Sequence, residues 1–272
     1  MSAHNAIVPD GERRVASGQP PEIVDRGPLN PDVVARLPLE LDADQLRQLA
    51  RYRDLLLGWN ERINLTAVTD PADVEQVLLL DALHMAPEIG DFATRFKHRP
   101  TLIDIGAGGG LPGIPLAIAL PGIDFTLLDA TGKKVMVLGE MARDLGLPNV
   151  RALHGRAEEI GHLPDHRARY DLATARAVAS LPALVELALP LLKRAGRAWF
   201  PKSATIDEEL RDGEVAAEIV GGRIESSSRH SARGNDRVTR MIVLVKMNET
   251  PQRFPRRAGL PAKEPLGRGK SK

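Results

Sequence analysis

Asp104 stands two residues before the first of three alternating glycines in the run Ile103-Asp104-Ile105-Gly106-Ala107-Gly108-Gly109-Gly110-Leu111-Pro112-Gly113. Thr101–Ile105 reads as a short apolar strand and Leu116–Leu120 as part of a helix, so the glycines fall on a strand-to-helix turn. Glycine there permits positive φ and lets a ligand rest against bare backbone, outside the carboxyl end of the strand. The dinucleotide fingerprint G-x-G-x-x-G needs a third glycine where this chain has Leu111. The spacing is G-x-G-x-G instead, and the Asp104 carboxylate would sit poorly beside a pyrophosphate. It suits a cationic ligand. S-adenosylmethionine carries both an ammonium and a sulfonium.

The next strand ends Leu127-Leu128-Asp129. A carboxylate about twenty residues past the loop can accept both ribose hydroxyls, and either cofactor class predicts it. Its plain alternative is a cap on the following helix, where Lys133 and Lys134 oppose the macrodipole. After the third strand, Gly155-Arg156-Ala157-Glu158-Glu159 lies where an adenine would rest, and backbone N–H groups with a carboxylate could read its edge. A surface turn explains the same spacing. After the fourth strand comes Thr174-Ala175-Arg176-Ala177-Val178, the loop that should carry a transfer reaction. It lacks the Asn/Asp-Pro-Pro-aromatic motif of enzymes that methylate exocyclic amines. The Arg176 guanidinium cannot act as a base. It can position a carboxylate, a phosphate or the O6/N7 edge of guanine, or form an ordinary ion pair. His84, His154, His162 and His166 show no metal-ligand spacing.

Composition narrows the chemistry further. The chain has 272 residues, 43% hydrophobic and 27% charged, with aromatics at only 3%. It has enough apolar material for a large core, built mostly of Leu, Ile, Val and Ala. Lys plus Arg is 37 against 36 Asp plus Glu, so bulk charge does not coat nucleic acid, although a local basic patch could bind it. With no cysteine, disulfides, thiolate zinc sites, iron–sulfur clusters and cysteine nucleophiles are all excluded. No secretory signal or membrane span is visible, and a reducing cytoplasm fits.

The elements that must position these residues follow from periodicity. Residues 1–38, rich in Gly and Pro, read as a disordered extension. Residues 39–95 read as a helical subdomain. One helix starts at the Asp42/Gln45 capping box and carries Leu46, Leu49, Tyr52, Arg53, Leu56 and Leu57. A second is capped by Asp70 and runs to about Met85. From 96 to 247, strands at Thr101–Ile105, Phe125–Leu128, Val150–Leu153, Tyr170–Thr174, Arg197–Phe200 and Arg240–Met247 alternate with helices. The helices cover Leu116–Leu120, Lys133–Leu145, Leu181–Leu192 and Asp207–Asp212. Repeated βα units imply a parallel sheet with helices on both faces. Residues 248–272 form a basic tail whose prolines prevent a regular helix. It is a solvated terminus or an arm for phosphate backbone.

These motifs together resemble the ribosomal RNA small subunit methyltransferase G (glucose-inhibited division protein B) family over residues 45–247. The resemblance rests on Trp59-Asn60, Ile63-Asn64-Leu65-Thr66-Ala67-Val68, Leu80-Asp81, and Asp104 through the glycines to Leu111-Pro112-Gly113-Ile114-Pro115. Leu127-Leu128-Asp129, Gly132-Lys133-Lys134, Arg156-Ala157-Glu158 and Arg176-Ala177 extend it, with a further touch at Pro255–Pro261. It departs from the family at Leu78, where a histidine is frequent, at Val178, where an aromatic is common, and in the long N-terminus.

The resemblance implies an α/β, Rossmann-like class I S-adenosylmethionine-dependent methyltransferase with a seven-stranded, mostly parallel sheet. It implies methylation of guanine N7 in a 16S rRNA loop near the decoding site. Cofactor contacts are expected at Asp104, Gly106, Gly108, Leu111, Ala157, Glu158 and Arg176, with Asp129, Ala130 and Thr131 beside the ribose. Lys202, Arg253, Arg256 and Arg257 are candidates for RNA phosphate, and Arg176 and Lys202 for positioning substrate. The expected partner is 16S rRNA or a small-subunit assembly intermediate, met by a monomer in the cytoplasm, with no membrane and no metal. An NAD(P)-dependent oxidoreductase and a non-catalytic RNA-binding module are the alternatives.

Overall fold

A computed structural model describes residues 21–231 and 238–267. The chain begins with a short turn of helix, α1 (Pro31–Val34), then the long helix α2 (Ala43–Asn60). The capping box forms as read: Gln45 N–H donates to Asp42 Oδ1 at 2.8 Å and Asp42 N–H to Gln45 Oε1 at 2.9 Å. The helix expected from Asp70 to Met85 is instead three pieces: α3 (Pro71–Asp73), a π-helical stretch (Val74–Leu79) and α4 (Leu80–Leu83). Asp70 Oδ1 caps it by accepting from Ala72 and Asp73. Helix α5 (Ala86–Ala93) completes this layer.

The remaining elements are β1 (Thr101–Ile105), α6 (Gly113–Ala119), β2 (Asp124–Asp129), α7 (Gly132–Asp144), β3 (Val150–His154), α8 (Ala157–Ile160), β4 (Tyr170–Thr174) and α9 (Leu181–Ala188). They are followed by β5 (Leu192–Ser203), α10 (Asp207–Val220), β6 (Gly222–Ser231), β7 (Val238–Lys246) and α11 (Leu260–Lys263). The seven strands form one sheet in the order β3-β2-β1-β4-β5-β7-β6. All pairings are parallel except β5–β7 and β7–β6. The strand order reverses between β1 and β4, which places a ligand crevice at their carboxyl ends.

Alternation along the strands divides the core in two. Leu102, Phe125, Leu127, Leu172 and Trp199 pack on one face with α2, α5, α6 and α7. Ile103, Ile105, Leu128, Ala173, Ala198 and Phe200 pack on the other with α8, α9 and α10. The N-terminal helices thus share a core with the sheet.

Four expectations need correction. Residues 21–38 are packed rather than extended into solvent. Leu29 and Val33 are buried, and Arg53 donates to the carbonyl of Gly27 at 2.7 Å. Two anchoring side chains and captured carbonyls offset an ordering cost that composition alone predicted to prevail; residues 1–20 lie outside the described residues. The helix read over Leu181–Leu192 stops at Ala188, and β5 begins at Leu192. Strand β6 was missed among the individually read strands because it is a Ser- and Arg-rich edge strand with little apolar alternation. The tail is folded over most of its length: Phe254 is buried, and Pro261 sits in the first turn of α11, where a missing N–H costs nothing.

Candidate functional site

The loop between β1 and α6 is tied down by backbone and side-chain bonds together. Gly106 and Ala107 N–H both donate to the Leu128 carbonyl, at 2.8 and 2.9 Å. Gly106, Gly108 and Gly110 all have positive φ, at 71, 56 and 94°. A Cβ at Gly106 would lie 2.6 Å from Val178, so the loop after β4 closes directly onto the glycines. A Cβ at Gly109 would meet Leu56 and Leu65. The loop therefore has the helical layer at its back and the β4 loop across its front.

Asp104 is completely buried beneath this loop. Its Oδ2 accepts the Gly113 N–H at 3.0 Å. Its Oδ1 is buried with no hydrogen-bond partner. Burial pushes this carboxyl up to about 7, against the lowering effect of the Gly113 bond and of Arg176. An orphaned, buried carboxylate oxygen costs free energy until a donor or a positive charge arrives. That is the environment a cationic ligand would relieve.

Asp129 ends β2 on the neighbouring strand. Its Oδ2 accepts from Gly108 N–H at 3.0 Å and its Oδ1 from Thr131 N–H at 2.8 Å. Each oxygen keeps a second lone pair for a hydroxyl. The capping alternative is not what forms, because α7 is capped at Thr131 without a side-chain bond. Ala130 and Thr131 are exposed beside it. The β3 loop is joined to the same point: Gly155 N–H donates to the Asp129 carbonyl at 3.1 Å. Ala157 and Glu158 follow as the first turn of α8, with Ala157 buried and Glu158 half-buried. Leu111 is half-buried at the end of the glycine turn.

Arg176 leaves the end of β4 and turns toward the π-helical stretch. It donates to the Leu78 carbonyl at 3.3 Å and pairs with Asp81 Oδ2 at 3.7 Å. Its charge is felt at Asp104 and at Tyr52. π-Helical turns recur at functional sites, and here one presents a carbonyl to the site's arginine.

Two supporting residues escaped the sequence reading. Tyr52 was read only as part of the α2 stripe, yet its buried hydroxyl donates to the Gly109 carbonyl at 2.9 Å. Asn60 Oδ1 accepts from Leu65 and Thr66 N–H at 2.8 and 2.9 Å. This holds the 61–68 loop against the glycines. The Trp59-Asn60 motif carried that signal, but without a partner to assign it to.

The proposed RNA contacts divide. Lys202 is engaged internally, donating to the Ala179 carbonyl at 3.0 Å and pairing with Glu209 at 2.6 Å. It braces the β4 loop from below. Arg256 grips the fully buried Glu186 through its backbone N–H, Nε and NH2. Neither presents its charge to solvent as the sequence reading supposed, because a carboxylate from the opposite-face layer claims each. Arg253 and Arg257 are exposed. Among the described residues no His/Asp/Glu group could hold a metal, and no helix is long and apolar enough to cross a membrane.

Known proteins share both the sequence and the fold. The sequence profile of the family described as rRNA small subunit methyltransferase G matches residues 45–238. The ribosomal RNA small subunit methyltransferase G of Alkaliphilus metalliredigens (strain QYMF) is 38% identical over 235 residues, covering 86% of this chain and 96% of that protein. The protein of the same name from Alkaliphilus oremlandii (strain OhILAs) is 40% identical over 230 residues, covering 85% and 94%. Among solved structures, a point mutant of MtNAS in complex with S-adenosylmethionine superposes with a TM-score of 0.50 at 15% identity, over 76% of this chain and 80% of that one. At that identity the likeness speaks to the fold alone, a seven-stranded α/β sheet. The matched range includes the glycine loop, Asp129, Glu158 and Arg176, and the alternative of an oxidoreductase falls away with it. The chain is an enzyme that belongs to the rRNA small subunit methyltransferase G family.

Proposed function

We propose that this protein transfers the methyl group of S-adenosylmethionine to N7 of a guanosine in a 16S rRNA loop near the decoding site. The observation that carries the reading is the buried, unpartnered Oδ1 of Asp104 under a loop of bare backbone at the sheet's switch point. The donor set fits a cationic nucleoside: Asp104 faces its positive end, Asp129 its ribose, and Ala157 with Glu158 its adenine. Gly106, Gly108 and Leu111 supply the floor, and Ala130 and Thr131 the rim. When bound, the cofactor supplies an electrophilic methyl on a sulfonium.

Guanine N7 carries a free lone pair at neutral pH, so the protein needs no general base. Its residues align the base for in-line attack, and alignment can contribute on the order of 7–11 kcal/mol at best. Positive charge develops on the purine as the methyl arrives. Arg176 is therefore suited to a carboxylate or phosphate rather than to the ring edge, and Asp81 beside it tempers its charge. Arg253 and Arg257 contact phosphates, while Lys202 positions the loop that carries Arg176. The substrate is 16S rRNA or a small-subunit assembly intermediate, met by a monomer in the cytoplasm.

The test is incubation with 16S rRNA, and separately with small ribosomal subunits, in the presence of methyl-labelled cofactor, followed by mapping of the labelled base. Label at N7 of one guanosine is expected. Label on another atom, or none on either substrate, would overturn the reading.

A further inference from the structure

The segment after β7 crosses the sheet's second face and ends against the candidate adenine loop. It is anchored at four points. Arg167 donates to the carbonyls of Gly161 and Phe254 through NH1 and of Thr250 through NH2, each at 2.8 Å. His162 Nε2 lies 2.7 Å from the Pro255 carbonyl. Phe254 is buried in the same core as Ala157 and Ile160 of α8. Arg256 then locks onto Glu186 of α9 with Nε at 2.9 Å and NH2 at 2.7 Å, while NH2 also holds the Glu264 carbonyl at 2.8 Å. The outcome of this path is one bond. Gly259, at φ 80°, points its N–H at Glu158 Oε1, 2.8 Å away.

We propose that the Arg256–Glu186 clamp is a positioning device for the cofactor site: by fixing Gly259 against Glu158 Oε1, it orients that carboxylate toward the adenine. The inference rests on the assignment of Glu158 to the cofactor. It gives Arg256 a role that its place in a basic tail did not suggest. A guanidinium with its fork on a buried carboxylate and another bond on a downstream carbonyl fixes both sides of the 257–263 turn at once. The Gly259 N–H occupies one of Glu158's oxygens and sets the rotation of the carboxylate plane. The other oxygen is left to the ligand. Arg256 itself touches no reacting atom.

The experiment is a double-mutant cycle on the full chain, read as the Kd of S-adenosylhomocysteine by calorimetry. Arg256→Gln is expected to weaken binding about tenfold, and to lose that effect in a Glu158→Ala background, because both changes remove the same oriented carboxylate. Since Arg256→Gln leaves Glu186 buried and unpaired, Arg256→Gln with Glu186→Gln is measured beside it; this neutral pair removes the stranded charge, keeps the fold and still lacks the fork. Thermal midpoints verify that each variant is folded. Additive losses for Arg256→Gln and Glu158→Ala would overturn the clamp while leaving Glu158 in the site. Unchanged cofactor binding in Arg256→Gln with weakened rRNA binding would overturn it in favour of a phosphate contact. Unchanged affinity in Glu158→Ala alone would overturn both the clamp and the assignment of Glu158 beneath it.

Discussion

Asp104 combines two properties that rarely coexist in a resting protein: complete burial and an oxygen with nothing to accept from. Its carboxyl, pushed up to about 7, is protonated below that pH. A cationic ligand prefers the ionised form, so its binding must expel the proton. Cofactor affinity should fall as pH drops below about 7, by at most about tenfold per pH unit for one proton displaced. Calorimetry across neutral pH checks this, and Asp104→Asn should bind weakly at every pH with a flat profile. The second residue-scale prediction concerns Tyr52. Tyr52→Phe removes the hydrogen bond to the Gly109 carbonyl and should cost roughly 0.5–1.5 kcal/mol of stability in urea titration. Cofactor binding should weaken with it, since the glycine turn loses its rear support. At this scale legibility depended on what a residue must satisfy. Asp104 stands beside the glycine run and Asp129 ends the next strand, and the structure brings both carboxylates onto N–H groups of that loop. Tyr52 and Arg256 find their partners 57 and 70 positions away, and no local spacing announces such a bond.

Elements with a strong local rule were readable. The capping box at Asp42 and Gln45 formed as expected, and Asp42→Ala should cost about 1 kcal/mol in the same titration. Strands β1 to β4 fall within a residue of their expected bounds because each is a short apolar run closed by a turn. Where two rules compete, reading failed. The leucine run Leu78-Leu79-Leu80 continues a helical stripe, yet the stretch Val74–Leu79 that enters it is π-helical, with an extra residue in the turn. Strand β6 has Ser226, Ser227 and Ser228 at its centre and owes its strand form to β7 alone. The expectation of seven strands came from family resemblance rather than from any pattern in that segment.

On the scale of the molecule, the two ends of the described chain strap the helical layers on opposite faces of one sheet. The N-terminal strap is held by Arg53, which lies buried between Asp54 and Glu75 and reaches the Gly27 carbonyl. Arg53→Ala leaves buried Glu75 with no cation and Asp54 with Arg26 alone, and should lower stability by about 3 kcal/mol, measured by chemical denaturation. Under the proposed function, the exposed Arg253 and Arg257 are the candidates for RNA phosphate. Replacing Arg253 and Arg257 together by Gln should reduce the slope of log affinity against log salt by about 1.5, close to two phosphate contacts, while cofactor Kd stays constant. An unchanged slope would remove both from the interface. Composition predicted neither strap, because it measures how much apolar surface a segment holds and not whether one arginine can capture its carbonyls.

The pleat of β1 sends Leu102 to the face covered by α2, α5, α6 and α7, and Ile103 and Ile105 to the face covered by α8, α9 and α10. That two-residue rhythm has a consequence for how such a protein can diverge. Gain or loss of one codon within Thr101–Ile105 would swing the acid at 104 into the hydrocarbon of the wrong layer and deliver an isoleucine to the mouth in its place. Point replacements can accumulate around this strand, but its length is frozen.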